Sequence, residues 1–288
     1  MQCTSSPLLR RLKTPMTFFF LLLPIIAVIM GLHSCRRTPD ANTQISETTP
    51  PAPKAIVNYT YKVLNEFPHD ETAFTQGLVW LGNQTFLEST GQYSRSDIRR
   101  VQSSTGSVQL RRPLSSEYFA EGCCVLQNRI YQITWNEQKG FIYDLETLRP
   151  LGEFGYRGEG WGLTTDGLSL IMSNGSSTIT YLNPQTFAVE RTIDVTIDVL
   201  QKVRNLNELE FINGKLYANI WMTDSIVIID PRTGNVEGII DCSNLLPARL
   251  RSNRTDVLNG IAYNQQTDKL YLTGKYWPRV YEVEIIPK

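Results

Sequence analysis

Three observations predict an all-β fold, specifically a five-bladed β-propeller. Short β-rich runs alternate with turn-forming residues, and no long segment shows the apolar spacing of a helix. The runs recur as five similar units at intervals of about 40–50 residues. One more strand, at residues 58–67, precedes the first unit, whereas the last unit ends after three strands. We therefore expect residues 58–67 to complete the last blade and close the ring, which removes open sheet edges.

Each unit contains an apolar strand, a tight turn and a second apolar strand. The turns are rich in Gly, Asn and Asp, which tolerate the backbone angles of a hairpin corner. Most units continue into a third strand that ends in a turn, such as Asp-Pro-Arg-Thr-Gly at residues 230–234. A β-sandwich is the alternative fold, but it does not explain the repetition. The five units begin at Phe74, Ala120, Glu159, Asn207 and Leu258.

The chain begins with a segment that resembles a bacterial export signal, over residues 1–35. Basic residues without an acid precede an uncharged apolar run at 16–32, which ends in a Leu-His-Ser-Cys lipoprotein box. We expect Cys35 to be lipidated and the protein to be a periplasmic, membrane-tethered lipoprotein. An uncleaved N-terminal anchor is the alternative, because the run is nearly long enough to span a bilayer. Residues 36–57 are rich in Pro and Thr and predict a disordered linker, which leaves 58–288 as the folded propeller domain.

Charge and histidine content narrow the classes of function. Lys and Arg total 28 and Asp and Glu total 28, so the basic excess of a nucleic-acid-binding protein is absent. The sequence has two histidines, His33 and His69, and His33 lies in the predicted signal. A Ser-His-Asp triad or a multi-histidine metal site would therefore depend on His69 alone.

Three cysteines remain in the predicted domain: Cys123, Cys124 and Cys242. Their spacing excludes a CxxC motif, and their odd number leaves at least one without a partner in the chain. A disulfide between Cys123 and Cys124, or from either to Cys242, would suit an oxidising compartment. Buried small apolar residues are the alternative interpretation.

Glu121 is the strongest catalytic candidate, because residues at the starts of first strands meet at the centre of a propeller. It follows Tyr118 and Phe119 and precedes a glycine, and apolar surroundings would raise its pKa toward neutrality. The alternative is a glutamate that only accepts hydrogen bonds from neighbouring blades. Glu208 and Glu210 are two residues apart on one strand face, where they can serve the site or hold a structural calcium ion at the hub.

Four of the five tryptophans lie at comparable positions of the repeats. We interpret Trp277, which a proline follows, as a packing residue. The other three predict an aromatic-walled pocket that excludes water; they are Trp135, Trp161 and Trp221. The nearby polar side chains suited to polarising a carbonyl are Gln76, Asn207 and Lys275.

Eight short motifs, in order, resemble the plant and bacterial glutaminyl-peptide cyclotransferases: FTQGL, EYFAEG, ITW, EGWGLT, NELE, IW, LNGIA and GKYW. The resemblance extends over residues 59–288 and implies a five-bladed propeller. It also implies conversion of the N-terminal glutamine of peptides to pyroglutamate, with release of ammonia, and it places the general acid/base at Glu121. The substrate contacts that it implies are Phe74, Gln76, Glu88, Phe119, Trp135, Trp161, Asn207, Trp221 and Lys275.

This reaction needs few catalytic groups. The α-amine of the substrate attacks its own side-chain amide, so no Ser or Cys nucleophile is required. One carboxyl can accept a proton from the attacking nitrogen and deliver it to the departing one. We expect no cofactor apart from the structural calcium. The expected partners are peptides with N-terminal Gln and, through the lipid, a membrane; we expect no nucleic acid, and a monomer.

Two other functions fit the same residues. One is a non-catalytic propeller that binds a partner on its rim, with the tryptophans as packing residues. The other is a metal-dependent propeller hydrolase or lactonase that holds calcium with Glu121, Asn207 and Glu208.

Overall fold

The computed structural model describes residues 55–198 and 200–288. The predicted signal, Cys35 and residues 36–54 of the predicted linker lie outside this part of the chain. Within it, the chain forms twenty β-strands and one short 3-10 helix, Ala248–Leu250. No helix of the described residues has the length and apolarity that crossing a bilayer requires.

Three sheets contain four antiparallel strands each, hydrogen-bonded in chain order. The first sheet comprises β2 (Thr75–Gly82), β3 (Thr85–Thr90), β4 (Asp97–Gln102) and β5 (Val108–Pro113). The second comprises β6 (Ala120–Leu126), β7 (Arg129–Thr134), β8 (Lys139–Asp144) and β9 (Pro150–Gly155). The third comprises β10 (Leu163–Thr165), β11 (Leu170–Met172), β12 (Thr178–Leu182) and β13 (Val189–Asp194).

The fourth sheet has eight strands: β1 (Val57–Pro68), β14 (Leu206–Ile212), β15 (Lys215–Ile220), β16 (Ser225–Ile229), β17 (Val236–Asp241), β18 (Leu258–Asn264), β19 (Lys269–Gly274) and β20 (Arg279–Pro287). They are hydrogen-bonded in the order β14-β15-β16-β17-β1-β20-β19-β18. Strand β1 pairs antiparallel with β20 along most of its length, and its first three residues pair parallel with β17. The predicted pairing of the N-terminal strand with the last unit is confirmed, and the strand is one residue longer at each end than predicted.

Tight hairpin turns join the first and second strands of three units. At residues 83–84, 127–128 and 213–214 both turn residues have positive φ angles, between 47° and 78°. This combination matches the twist of the flanking strands, and Asn and Gly tolerate it best. The tight turns that the sequence predicts between the first and second strands therefore form in these three units.

The first strands of the units contact one another in a closed cycle, β2-β6-β10-β14-β18 and back to β2. The apolar core lies between the faces of adjacent sheets around this cycle. One cluster, for example, joins Leu87 and Ile98 of the first sheet to Ile130 and Tyr143 of the second. The result is a propeller-like all-β arrangement with the first strands at its centre.

Four first strands change register near their starts, and these shifts position the site. The shifts fall at Gln76, Glu121, Asn207 and Asn259, where an extra residue enters the strand. A β-bulge of this kind re-aims a side chain. Glycine follows three of these residues; a Cβ at Gly122, for example, would overlap the backbone of Leu163 in the adjacent sheet.

The three cysteines of the described region are free and buried. Cys123 and Cys124 are consecutive on β6, so they point to opposite faces and pack against different neighbouring sheets. Cys242 lies in a third cluster. The interpretation as core residues is confirmed, and burial raises the pKa of each thiol, which leaves it protonated and unreactive.

Candidate active site

One cavity of about 420 Å³ collects three of the four bulged residues, all but Asn259, together with aromatic and polar residues that flank the strands. We call it the aromatic cavity. Nine of the ten site residues that the sequence predicted in this region line it: Phe74, Gln76, Phe119, Glu121, Trp135, Trp161, Asn207, Trp221 and Lys275.

Sequence reasoning missed three lining residues, namely Gln92, Met222 and Asp256. All three lie in connecting segments, where no strand periodicity indicates which way a side chain points. The available signal was proximity, because Met222 follows Trp221, and Asp256 shortly precedes the LNGIA motif.

Glu121 is buried at 5% exposure on the bulge of β6. Its backbone carbonyl accepts a hydrogen bond from the Ser89 hydroxyl, and the next N–H, of Gly122, donates to Trp161 O at 2.7 Å. No described group hydrogen-bonds to its carboxyl. Burial raises the pKa of Glu121 well above its usual value. The positive charge of Lys275 lowers this pKa, whereas the negative charges of Glu137 and Glu159 raise it further.

Lys275 follows β19 directly and is 4% exposed. Its Nζ lies 4.6 Å from the centroid of the Phe74 ring, a cation–π contact within the cavity wall. Burial lowers the pKa of Lys275, whereas the charge of Glu121 opposes that shift. Because burial disfavours the ionised forms of both groups, their pKa values are shifted toward each other, as is typical of functional sites.

Edge-to-face aromatic contacts build the cavity wall. The ring of Phe119 lies 5.9 Å from Phe74 and 5.8 Å from Trp135, measured between centroids. Across the cavity, Trp161 and Trp221 make an edge contact at 5.6 Å and 87°. These geometries are favourable for aromatic pairs and hold the rings in fixed positions.

The Glu159 carboxylate fixes two of these indole rings. Its Oε2 accepts hydrogen bonds from Trp135 Nε1 at 2.8 Å and from Trp161 Nε1 at 2.9 Å. Glu159 therefore joins the two parts of the wall and also places a negative charge near Glu121.

Two amide side chains supply neutral polar groups. Gln76 Oε1 accepts a hydrogen bond from Asn259 Nδ2 at 3.2 Å, which leaves the NH₂ group of Gln76 as its free donor. Asn207 is 2% exposed, and its Oδ1 is buried without a hydrogen-bond partner. A buried acceptor without a partner is costly, so Asn207 Oδ1 is suited to a donor on a bound ligand.

Glu88 is the exception among the predicted residues, because it does not line the cavity. Its Oε1 accepts a hydrogen bond from Thr75 Oγ1 at 2.8 Å and lies 2.9 Å from His69 Nε2. The structure therefore places Glu88 on β3, outside the wall of the aromatic cavity, with Oε1 against His69 and Thr75 and with Oε2 buried without a hydrogen-bond partner.

His69 connects this carboxylate to the segment that carries Lys275. Its Nδ1 lies 2.7 Å from Trp277 O, so both ring nitrogens face acceptors, an arrangement that favours the protonated ring. Burial is the largest single influence and acts to lower the pKa of His69, but the charge and hydrogen bond of Glu88, the Trp277 carbonyl and the charge of Asp70 together outweigh it, so the pKa is raised. Burial is likewise the largest single influence on Glu88 and acts to raise its pKa, but His69, the charge of Arg99 and the hydrogen bond from Thr75 together outweigh it, so the pKa is lowered.

Trp277 is 1% exposed and packs against Tyr281. Its Nε1 donates to Asp256 O at 2.9 Å. Its interpretation as a packing residue is confirmed.

Glu208 and Glu210 lie at the centre of the ring of first strands. Glu208 accepts hydrogen bonds from the N–H groups of Leu78 and Ile261, at 3.3 and 2.9 Å, and so links β14 to β2 and β18. Burial raises the pKa of Glu210 to about 8 and that of Glu208 well above its usual value. Among residues 55–198 and 200–288 no group of three or more His, Cys, Asp or Glu is arranged to hold a metal ion, and the structural calcium stays a prediction.

Comparisons with known proteins identify the family to which the chain belongs. A family model described as glutamine cyclotransferase matches residues 30–285. A glutaminyl-peptide cyclotransferase from Arabidopsis thaliana is 42% identical over 227 residues, which cover 78% of this chain and 71% of the relative. The crystal structure of Myxococcus xanthus glutaminyl cyclase superposes with a TM-score of 0.76 at 34% identity and covers 81% of this chain and 100% of that chain. The chain therefore belongs to the glutamine cyclotransferase family, and its activity is that of a glutaminyl-peptide cyclotransferase, an acyltransferase.

Proposed function

We propose that Glu121 performs the proton transfers by which the N-terminal glutamine of a peptide becomes pyroglutamate and ammonia. The observation that carries this proposal is its placement, as a buried carboxyl without a hydrogen-bond partner that lines an aromatic cavity. Its raised pKa suits a group that must both accept and donate a proton near neutral pH.

The substrate supplies its own nucleophile. The α-amine has a pKa near 8, so a useful fraction is neutral at physiological pH. Within the aromatic cavity the glutamine side chain curls back, and the amine nitrogen forms a bond to the side-chain amide carbon. Glu121 accepts a proton from that nitrogen and gives one to the amide nitrogen, whose bond to carbon then breaks to release ammonia.

The other polar groups of the cavity have complementary roles. Lys275 and the NH₂ group of Gln76 are the donors that stabilise the oxyanion of the tetrahedral intermediate. Asn207 Oδ1, buried without a partner, accepts a hydrogen bond from the substrate amine or amide. The aromatic wall excludes water, so attack by the amine is favoured over hydrolysis.

A blocked substrate tests the internal nucleophile. The protein is incubated, with and without EDTA, with a Gln-initiated peptide and with its N-acetylated form. We expect ammonia and a pyroglutamyl product from the free peptide alone, and unchanged turnover with EDTA. Ammonia from the acetylated peptide would indicate amide hydrolysis, and loss of turnover with EDTA would indicate the metal-dependent alternative.

We also propose that the architecture is a five-bladed propeller. Three blades would be the four-stranded sheets, and two would be the halves of the eight-stranded sheet, which short parallel pairing of β1 and β17 joins. The closed cycle of first strands supports this interpretation. A closed ring leaves no sheet edge that requires a second copy, so we propose a monomer.

We propose that residues 1–35 direct export and that lipidation of Cys35 tethers the protein to a periplasmic membrane through residues 36–57. A basic segment, an apolar run and the Leu-His-Ser-Cys motif follow one another in the order of a lipoprotein export signal, which supports this proposal. A Cys35→Ala variant expressed in a bacterial host that processes lipoproteins should lose its lipid in mass spectrometry and accumulate uncleaved. A wild-type protein that retains residues 1–34 would support the uncleaved anchor instead.

A further inference from the structure

A second cavity, of about 380 Å³, adjoins the aromatic cavity and differs from it in chemistry. The two share Phe74 and Gln92 in their walls. The second wall also contains Arg95, Arg99 and Arg111, and we call it the arginine cavity.

Two of the three arginines belong to a structural ion-pair network. Arg99 donates to both oxygens of Asp97, at 2.7 and 2.6 Å, and to Asp70 Oδ2 at 2.9 Å. Arg111 also donates to Asp97 through its Nε, while half of its side chain remains exposed. Three guanidinium groups line the arginine cavity, and the carboxylates of Asp70 and Asp97 pair with two of them. The formal net charge of these five groups is therefore +1. The next carboxylate, Glu88, is already paired with a histidine.

Arg95 is the arginine without a described partner. Its guanidinium makes no hydrogen bond or ion pair to any residue in the described part of the chain. The loop that carries it is held in an unusual conformation, with φ angles of 105° at Gln92 and 64° at Ser94. The backbone N–H of Arg95 donates to Gln92 O at 3.0 Å. The same turn therefore positions both Arg95 and Gln92, which lines both cavities.

Thr90 provides an independent indication that this cavity is a ligand site. It lines the arginine cavity, is 2% exposed, and its hydroxyl is buried without a hydrogen-bond partner. Buried hydroxyl groups in proteins are normally paired, so an acceptor oxygen in this cavity would satisfy a group that the protein leaves unsatisfied.

We propose that the arginine cavity is a subsite for the carboxylate of an acidic residue at the second or third position of the substrate peptide. This inference rests on the proposed function, because it takes the N-terminal glutamine to occupy the aromatic cavity. An extended peptide advances about 3.3–3.6 Å per residue, so a nearby acidic side chain reaches the adjoining cavity. A guanidinium binds a carboxylate through two parallel hydrogen bonds, which the free Arg95 can supply.

The test compares amidated peptides that differ only in one charge. The kcat/KM is measured for Gln-Glu-Ala and Gln-Gln-Ala, and for Gln-Ala-Glu and Gln-Ala-Gln. We expect kcat/KM to be about tenfold higher for the acidic member of at least one pair, mainly because its KM is lower. The reason is that hydrogen bonds to charged groups contribute more free energy than hydrogen bonds to neutral groups. The preference should decrease as salt is added.

An Arg95→Gln variant should lose this preference, so that the acidic and neutral peptides react at similar rates. Arg149→Gln is the matched control, because it removes the same charge at an exposed position outside both cavities. The control should retain the preference of the wild-type protein.

Two outcomes overturn the proposal while the proposed function stands. One is cyclisation of all four peptides with equal kcat/KM, and the other is an unchanged preference in Arg95→Gln. If no peptide is cyclised, the proposed function fails. The subsite is then tested by titrating the protein with the same peptide pairs and following tryptophan fluorescence. Equal affinities for the acidic and neutral peptides would overturn the subsite. Inorganic phosphate that binds without any preference for acidic peptides would assign the cavity to a free anion and overturn the peptide subsite.

Discussion

Glu121 lies among groups that move its pKa in opposite directions. Burial is the largest influence and raises the pKa, Lys275 lowers it, and Glu137 and Glu159 raise it. The carboxyl must be ionised to accept a proton from the substrate, so the acidic limb of the pH–rate profile reports this pKa together with that of the substrate α-amine. The neighbours of Glu121 therefore give a direct way to test its role.

Removing Lys275 should move the acidic limb to higher pH. The cation stabilises the carboxylate, so a Lys275→Met variant loses that stabilisation and the pKa of Glu121 rises further. Glu137→Gln removes a like charge and should move the limb the other way, to lower pH. The measurement is kcat/KM against pH for the three proteins, and identical acidic limbs would contradict a rate-determining role for Glu121 ionisation.

Trp221 tests the aromatic wall, because it is 37% exposed and contributes little to the core. Trp221→Ala should raise KM about tenfold, since a lost aromatic contact is worth roughly 0.5–1.5 kcal/mol beyond its buried area. The unfolding free energy should change by less than about 1 kcal/mol, as for other exposed sites. An unchanged KM in a folded variant would place the substrate elsewhere.

At the scale of elements, the buried His69–Glu88 pair links two segments that carry site residues. His69 contacts Trp277 O, two residues after Lys275, and Glu88 contacts Thr75, which follows Phe74. Replacing His69 with Leu should cost about 3–5 kcal/mol of unfolding free energy, because it leaves a buried carboxylate uncompensated. The double variant His69→Leu/Glu88→Met should recover most of that loss in denaturant unfolding, and a double variant as unstable as the single one would contradict a charge-pair role.

The same pair predicts how stability depends on pH. The pKa of His69 is higher in the folded protein than in the unfolded chain, where it is about 6.5. The contribution of His69 to the free energy of unfolding is therefore complete below about pH 6.5 and is lost as the pH rises through the folded pKa. The pKa of folded Glu88 is lowered, so its contribution is full above about pH 4.3 and is lost as pH falls through the folded pKa. The stability advantage over the double variant should therefore be largest between these limits, and an advantage that is constant across pH would contradict the pair.

The strands and most of the site were predictable because both follow from a repeat. Alternating apolar residues and Asn-containing turns indicate the hairpins, and equivalent positions in successive units converge at the centre. Glu88 was predicted to lie in the substrate pocket, but it contacts His69 instead. His69 lies in an irregular segment, and the alternation of residues along a strand does not indicate which buried group a side chain will contact. Gln92 and Asp256 were missed because loop residues carry no periodic signal.

At the scale of the whole molecule, β1 closes the structure by pairing with both β20 and β17. Its aromatic residues Tyr59, Tyr61 and Phe67 also pack on the core. A chain that begins at residue 69 should therefore unfold at least about 10 °C lower and aggregate, because it exposes two strand edges and apolar core. A chain that begins at residue 55 is the control, and equal unfolding temperatures for the two would contradict closure by β1.

The central claim is that Glu121 transfers the proton, and the Glu121→Gln variant tests it most directly. This change keeps the shape of the side chain and removes its acid–base function. The measurement is ammonia release from a Gln-initiated peptide, alongside the unfolding temperature of each protein. We expect a folded variant whose kcat is lower by about 10²–10⁴-fold. A folded variant with near-normal kcat would show that Glu121 only holds the sheets together.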